Sequence, residues 1–203
     1  MNVAYVTAQD STNIRSFSGT GYYVPKALKM QGCEVSYIGN LKTRPYWKEK
    51  VKEKYYRRLL HNNYWFNPNP VVLKNYARQI QKALPSTKAD VLVSISSIPT
   101  TLLATSLPIV VWVDAVFPDI IDFYPEFTNM PQVTLRNGFK MEKISLDRCA
   151  HVVCSSHWAA RGAQRYYRLP DEKVSVIPYG ANMEASLSPA TIQQMVNSKT
   201  TEK

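Results

Sequence analysis

The chain has 203 residues and a formal net charge of +10, with 25 Lys and Arg against 15 Asp and Glu. At 45% hydrophobic and 20% charged it is too apolar for wholesale disorder and long enough to bury a core without a disulfide or metal staple. No apolar run approaches the length of a membrane-spanning helix, and three cysteines without metal spacing fit reduced thiols better than a disulfide framework.

In chain order, the opening VAYVT reads as a buried strand over 2–7, without the basic lead-in of a signal peptide. A polar loop over 9–18 follows, then a helix over 20–30 closed by Gly32, a residue suited to a left-handed helix end. EVSYI over 34–38 is a second strand, closed by Gly39 and Asn40. This β-loop-α-β order calls for parallel strands.

The basic surplus is concentrated next. Between 42 and 58 there are eight basic residues and two acids, a net +6. Trp47, Val51, Tyr55 and Leu59 recur every four residues through the same stretch. On a helix over 43–60 they form one apolar stripe with cations on either side. Such a helix has two readings. Its stripe packs on its own domain and its cations are solvated, or Trp47, Lys48, Lys50, Lys52, Lys54, Arg57 and Arg58 meet an anionic membrane surface. No recognised nucleic-acid motif accompanies the basic stretch.

An Asn- and Pro-rich stretch over 61–70 leads to a helix over 71–84, with Leu73, Tyr76, Ala77, Ile80 and Leu84 at helical spacing. DVLVSIS is a strand over 90–96. A short helix is expected over 100–106, bounded by Pro99 and Pro108. IVVWV over 109–113 is a continuous apolar strand of the kind buried on both faces of a parallel sheet. A long loop with three prolines is expected over 114–131, then a helix over 133–150. HVVCS is a strand over 151–155, followed by a helix over 156–167 capped by Ser155 or Ser156. VSVI over 174–177 is the last strand. Six strands alternating with helices, without an internal repeat, indicate an α/β doubly wound, mostly parallel, Rossmann-like sheet. After Tyr179-Gly180-Ala181-Asn182 the composition turns polar, so 1–182 reads as one domain and 183–203 as a linker.

In an open parallel sheet ligands bind beyond the carboxyl ends of the strands. Gly19, Thr20 and Gly21 follow the first strand and lead into a helix. Such a loop either lies close under a phosphate or is a tight turn that needs glycine for its geometry. It is not a dinucleotide fingerprint, because Val24 fills the third glycine position and the second strand ends in Asn40 rather than an acid. It is not a P-loop, since no G-K-[ST] follows. Asp114 ends the IVVWV strand, either as a base or a grip on a sugar hydroxyl, or as a cap of the following loop. Asp119, Asp122 and Glu126 fit no metal loop. His61, His151 and His157 pair with no obvious nucleophile.

Three stretches resemble the N-terminal half of a GT-B glycosyltransferase of family 4, the group 1 type. They are SGTGYYVPKALKMQGCEVSYIG, EKISLDRCAHVVCSSHWAARGAQRYYRLPDEKVSVIPYGAN and VVWVDAVF. The resemblance implies an acceptor-side domain facing a second, donor-side domain across a cleft, with retention of anomeric configuration and no metal. It implies a hexosyltransferase-like enzyme with a nucleotide-sugar donor, a sugar or lipid acceptor and no other cofactor. The donor-side domain is expected beyond this chain, which is then inactive alone. Relatives often carry His-Asp where this chain has Val113-Asp114, so only the Asp is carried over. On this reading Asp114 is the catalytic-site acid. Gly19, Thr20 and Gly21 lie under the donor, and Ser96, Ser97, Ser155 and Ser156 offer hydroxyls to sugars. The expected location is the cytoplasm, peripheral at the inner membrane face. The alternative function is a non-catalytic membrane-surface or interaction domain that uses the helix over 43–60.

Overall fold

The computed structural model describes residues 1–43, 46–182 and 188–200. Its six strands are β1 (Asn2–Val6), β2 (Glu34–Ile38), β3 (Val91–Ser94), β4 (Ile109–Val113), β5 (His151–Cys154) and β6 (Val174–Val176). They form one sheet in the order β2-β1-β3-β4-β5-β6, and all five pairings are parallel. The fold is a Rossmann-like, doubly wound α/β domain. Every strand lies where the sequence pattern puts it; the central strands, covered on both faces, are written as short apolar runs, while the edge strands β2 and β6 interleave polar residues.

The strand alternation sorts the core onto two faces. Val3 and Tyr5 of β1 pack with Val93 and Ile95 and with Val24 of α1 (Thr20–Met30) on one face. On the other, Ala4, Val6, Val111 and Val152 pack with Ala77 and Ile80 of α3 (Pro70–Ala83). Leu146 of α5 (Gln132–Arg148) and Ala159 and Ala163 of α6 (His157–Tyr167) complete that layer. Three alanines and a glycine on the buried side of α6 let it lie close to the sheet. The basic stretch forms α2 (Tyr46–Leu59).

Three segments differ from the expectations. Residues 100–106 form turns rather than a helix. The Thr101 hydroxyl bonds the carbonyls of Ser97 and Ile98, which holds the chain in a tight turn. The expected loop over 114–131 contains a one-turn helix, α4 (Phe117–Ile120), and a 3₁₀ turn over Pro125–Phe127. In each, a proline occupies the first turn, where its missing N–H costs nothing. Part of the expected linker is α7 (Pro189–Thr200). The Ser188 hydroxyl accepts the Thr191 amide at its start. The rest of that linker, 183–187 and 201–203, lies outside the described residues, as do 44 and 45.

The strand order reverses between β1 and β3, so the crevice of this sheet opens beyond their carboxyl ends.

Candidate functional site

A cleft of about 740 Å³ opens at that reversal. Thr20, Ser96, Ser97 and Asp114 line it, as do Gln9 and Ser18 from the loop after β1. The chain there holds three successive left-handed residues, Phe17 at φ 48°, Ser18 at φ 54° and Gly19 at φ 93°. The Asn182 side chain donates to the Ser18 carbonyl at 2.8 Å, and a Cβ on Gly19 would stand 2.9 Å from Asn182 Nδ2. Gly19 therefore serves both its φ and the close approach of the VIPYGAN segment.

Gly19, Gly21, Ser155 and Ser156 are not among the lining residues. Gly21 sits against Ser16, 3.1 Å from where a Cβ would be. The Ser155 amide donates to the Val113 carbonyl at 2.9 Å. Ser156 caps α6, its hydroxyl accepting the Ala159 amide at 3.2 Å. Ser97 is buried, and its hydroxyl donates to Glu142 Oε1 at 3.1 Å. Of the four expected serines, Ser96 is the partly exposed one at the cleft, with its oxygen also accepting the Ile98 amide at 3.2 Å. None of the three histidines lines the cleft, and His151 pairs with Ser175.

Asp114 stands exposed at the end of β4, on the cleft wall. Its charge adds to burial in pushing the Tyr179 phenol above its ordinary range. Tyr179 itself packs on Trp112 at 5.3 Å between ring centroids and closes that side.

The floor of the cleft holds an acid that sequence reasoning did not single out. Glu142 of α5 is buried and accepts three hydrogen bonds: from the Phe117 amide at 2.5 Å, the Tyr167 hydroxyl at 2.8 Å and the Ser97 hydroxyl at 3.1 Å. Burial raises its pKa to about 7, against the pull of those donors, and the nearby Asp119 raises it further. Asp119 is also raised by burial, and Arg165 opposes that shift. The available signal was an acid on the core-facing row Gly138, Met141, Glu142, Ser145 and Leu146 of an amphipathic helix.

The opposite wall is aromatic. Trp65 stacks on Phe117 at 5.6 Å and meets Phe127 edge-on at 5.3 Å. Trp65 comes from the Asn-rich stretch, which is pinned by hydrogen bonds. Asn62 Nδ2 donates to the Asn129 carbonyl at 3.1 Å, and Asn63 Nδ2 to the Thr128 carbonyl at 2.9 Å. Phe117 fits only because residue 138 has no side chain, since a Cβ there would lie 2.2 Å from its ring. Among the described lining residues, those that bear charge are all acids: Asp114, Glu126 and Glu142.

An aromatic wall, neutral hydroxyls and two exposed carboxylates, Asp114 and Glu126, beyond a parallel sheet suit a polyol better than a phosphate. The sequence matches the profile of Glycosyltransferase Family 4 over residues 22–185, most of the chain. The chain belongs to glycosyltransferase family 4. The matched span runs from the start of α1 to just past the VIPYGAN segment, so it takes in every element that builds the cleft except β1 and the loop before Tyr22. No curated protein is significantly similar to it in sequence. Among solved structures it is similar to a glycosyltransferase from Rickettsia africae ESF-5, at 16% identity and a TM-score of 0.48. That alignment covers 99% of this family 4 chain and 50% of the Rickettsia chain, so the 203 residues span about half of that protein.

Proposed function

We propose that this domain is the acceptor-binding half of a retaining, hexosyltransferase-like enzyme that draws on a nucleotide-sugar donor. The observation that carries the acceptor assignment is the character of the cleft. Its described lining combines a stacked Trp65–Phe117 wall with acids and hydroxyls. A sugar presents C–H faces to aromatic rings and hydroxyls to oxygen acceptors, and suffers no charge repulsion there. A donor diphosphate would meet the exposed Asp114 and Glu126 in the same space, so the cations that hold it belong to a donor-side domain outside these 203 residues.

On this reading Asp114 accepts a hydrogen bond from a hydroxyl of the acceptor or of the transferred sugar. The donor diphosphate lies at the edge of the cleft over the Gly19-Thr20-Gly21 turn, where Thr20 is the lining residue and the start of α1 offers backbone N–H groups. Ser96 supplies a neutral hydroxyl, while Ser97, Ser155 and Ser156 act indirectly through the contacts described for them. Residues 1–182 are the domain, and 183–203 lead toward its donor-side partner. The acceptor is a sugar, free or lipid-linked. A cytoplasmic setting is supported by three free thiols, Cys33, Cys149 and Cys154, two of them buried.

The test is transfer from a panel of nucleotide sugars, run by these 203 residues alone and together with the donor-side domain. Activity is expected only from the pair, with Asp114→Asn lowering it and product NMR showing retained configuration. Transfer by the 203 residues alone would refute the division of labour, because the leaving diphosphate would then be stabilised within this chain.

A further inference from the structure

α2 is amphipathic in the reverse of the usual sense. The one buried side chain among its described residues is an acid, Glu49, which is 4% exposed. Its apolar stripe faces solvent: Trp47 is 65% exposed, Val51 61%, Tyr55 50% and Leu59 68%, and Leu60 continues it at the helix end. The helix is held to the domain by polar contacts and a ring stack. Glu49 Oε2 accepts the Tyr64 hydroxyl at 2.8 Å and the Asn69 side-chain amide at 3.1 Å. Tyr56 stacks on Tyr64 at 5.0 Å. The reading in which the stripe packs on its own domain is therefore excluded.

An apolar stripe of this kind left facing water needs a partner. The charge around it identifies the partner's chemistry. Lys48, Lys50, Lys52, Lys54, Arg57 and Arg58 flank the stripe and are all exposed. Glu49 and Glu53, the two acids of the helix, are occupied by lysines, Lys52 at 3.2 Å and Lys50 at 3.1 Å. Lys48 sits over the Trp47 ring at 5.4 Å, a cation on an interfacial aromatic. A second copy of the chain would bring an equal positive field against this one, so self-association through the stripe is disfavoured.

We propose that α2 lies in the headgroup region of an anionic bilayer, with Trp47, Val51, Tyr55 and Leu59 in the acyl boundary and the flanking cations on lipid phosphates. No described helix is long and apolar enough to cross a membrane, so this contact is one of surface docking. Tyr64, which holds Glu49, precedes Trp65 of the cleft wall. A docked α2 thereby keeps the cleft at the bilayer. The docking does not depend on the transferase reading and is measured without any sugar present.

The experiment is co-sedimentation with phosphatidylcholine vesicles, with and without phosphatidylglycerol, at low and high salt. Two variants accompany the wild type, and circular dichroism shows that each is folded. One replaces stripe residues (Trp47→Ser, Val51→Ser, Leu59→Ser). The other reverses charges that the two helix acids do not hold (Lys48→Glu, Lys54→Glu, Arg57→Glu, Arg58→Glu). Binding is expected to the anionic vesicles only, to weaken with salt, and to fall more than about tenfold in either variant. Brominated lipid is expected to quench wild-type Trp fluorescence more than that of Trp47→Phe. Absence of binding to anionic vesicles at low salt overturns the proposal. So does binding that both variants retain, or a stripe variant that turns a dimer into a monomer in light scattering while vesicles bind neither.

Discussion

Glu142 Oε2 accepts the backbone amide of Phe117 at 2.5 Å, which ties the middle of α5 to the loop that leaves Asp114. The same oxygen accepts the Tyr167 hydroxyl at 2.8 Å, so one buried carboxyl joins α4, α5 and α6 beneath the cleft. Phe117 in turn carries the Trp65 stack. A charge on the floor thus bears on the shape of the wall.

Stability should depend on pH through this group. The folded pKa of Glu142 is raised to about 7 from an ordinary 4.5. Below about pH 4.5 both states hold the proton and its contribution is fully present. As pH rises toward 7 the unfolded state loses the proton first, so that contribution is lost through this window and stays lost above it. Glu142→Gln removes the titration. Urea unfolding at several pH values should show the difference between variant and wild type grow from pH 5 to 7, by at most roughly 3 kcal/mol, and then level off. A difference that is flat with pH would contradict this account.

Gly138→Ala should disturb the aromatic wall specifically. The added methyl meets the Phe117 ring at 2.2 Å, and Phe117 is buried between Trp65 and Phe139. Overpacking of this kind costs about 1–3 kcal/mol. The expected result is a lower melting temperature with a shifted Trp emission. An unchanged emission would mean that the ring moves without carrying Trp65.

The anchor of α2 is testable by exchange. Glu49→Ala leaves the Tyr64 hydroxyl and the Asn69 side-chain amide without their shared acceptor, at a cost of about 1–3 kcal/mol. Amides of Tyr46–Leu59 should then exchange faster while those of the β1–β3–β4 centre keep their protection. Uniform loss across the sheet would show that α2 unfolds with the domain rather than apart from it.

Asp114→Asn separates site from scaffold. The side chain is exposed, so the melting temperature should stay within what about 0.5 kcal/mol would shift. Transfer by this chain together with the donor-side domain should fall at least about tenfold, the worth of a hydrogen bond to a charged group. A variant that loses stability instead would identify Asp114 as a loop cap.

Much of this was legible in the sequence, and the reason differs from element to element. All six strands were readable: the central ones are short apolar runs, of which β4, IVVWV, is the clearest, and the edge strands EVSYI and VSV are short β-branched stretches bounded by turn residues. α1 and α6 were readable because Gly32, left-handed at φ 78°, closes one and Ser156 caps the other. Residues 100–106 misled, since the Thr101 hydroxyl, bonded to the carbonyls of Ser97 and Ile98, turned the chain where proline spacing suggested a helix. Of the cleft, Thr20, Ser96, Ser97 and Asp114 were placed by the rule of strand ends. Glu142, Trp65 and Phe117 were not, because they enter from helices and loops that no strand end announces.

By itself the sequence determined the α/β class, the positions of the strands, the family and a basic helix with one apolar face. Those follow from patterns a few residues long, which local sterics and burial dictate. Only the tertiary structure decided which way that helix faces. Periodicity shows that Trp47, Val51, Tyr55 and Leu59 share a side, but not whether the domain covers it. The Glu49 contacts with Tyr64 and Asn69 turn the acid inward and leave the stripe to water. In the same way, only packing decided that Glu142 lies in the floor of the cleft, where loss of hydration outweighs three hydrogen bonds and holds its proton close to neutral pH.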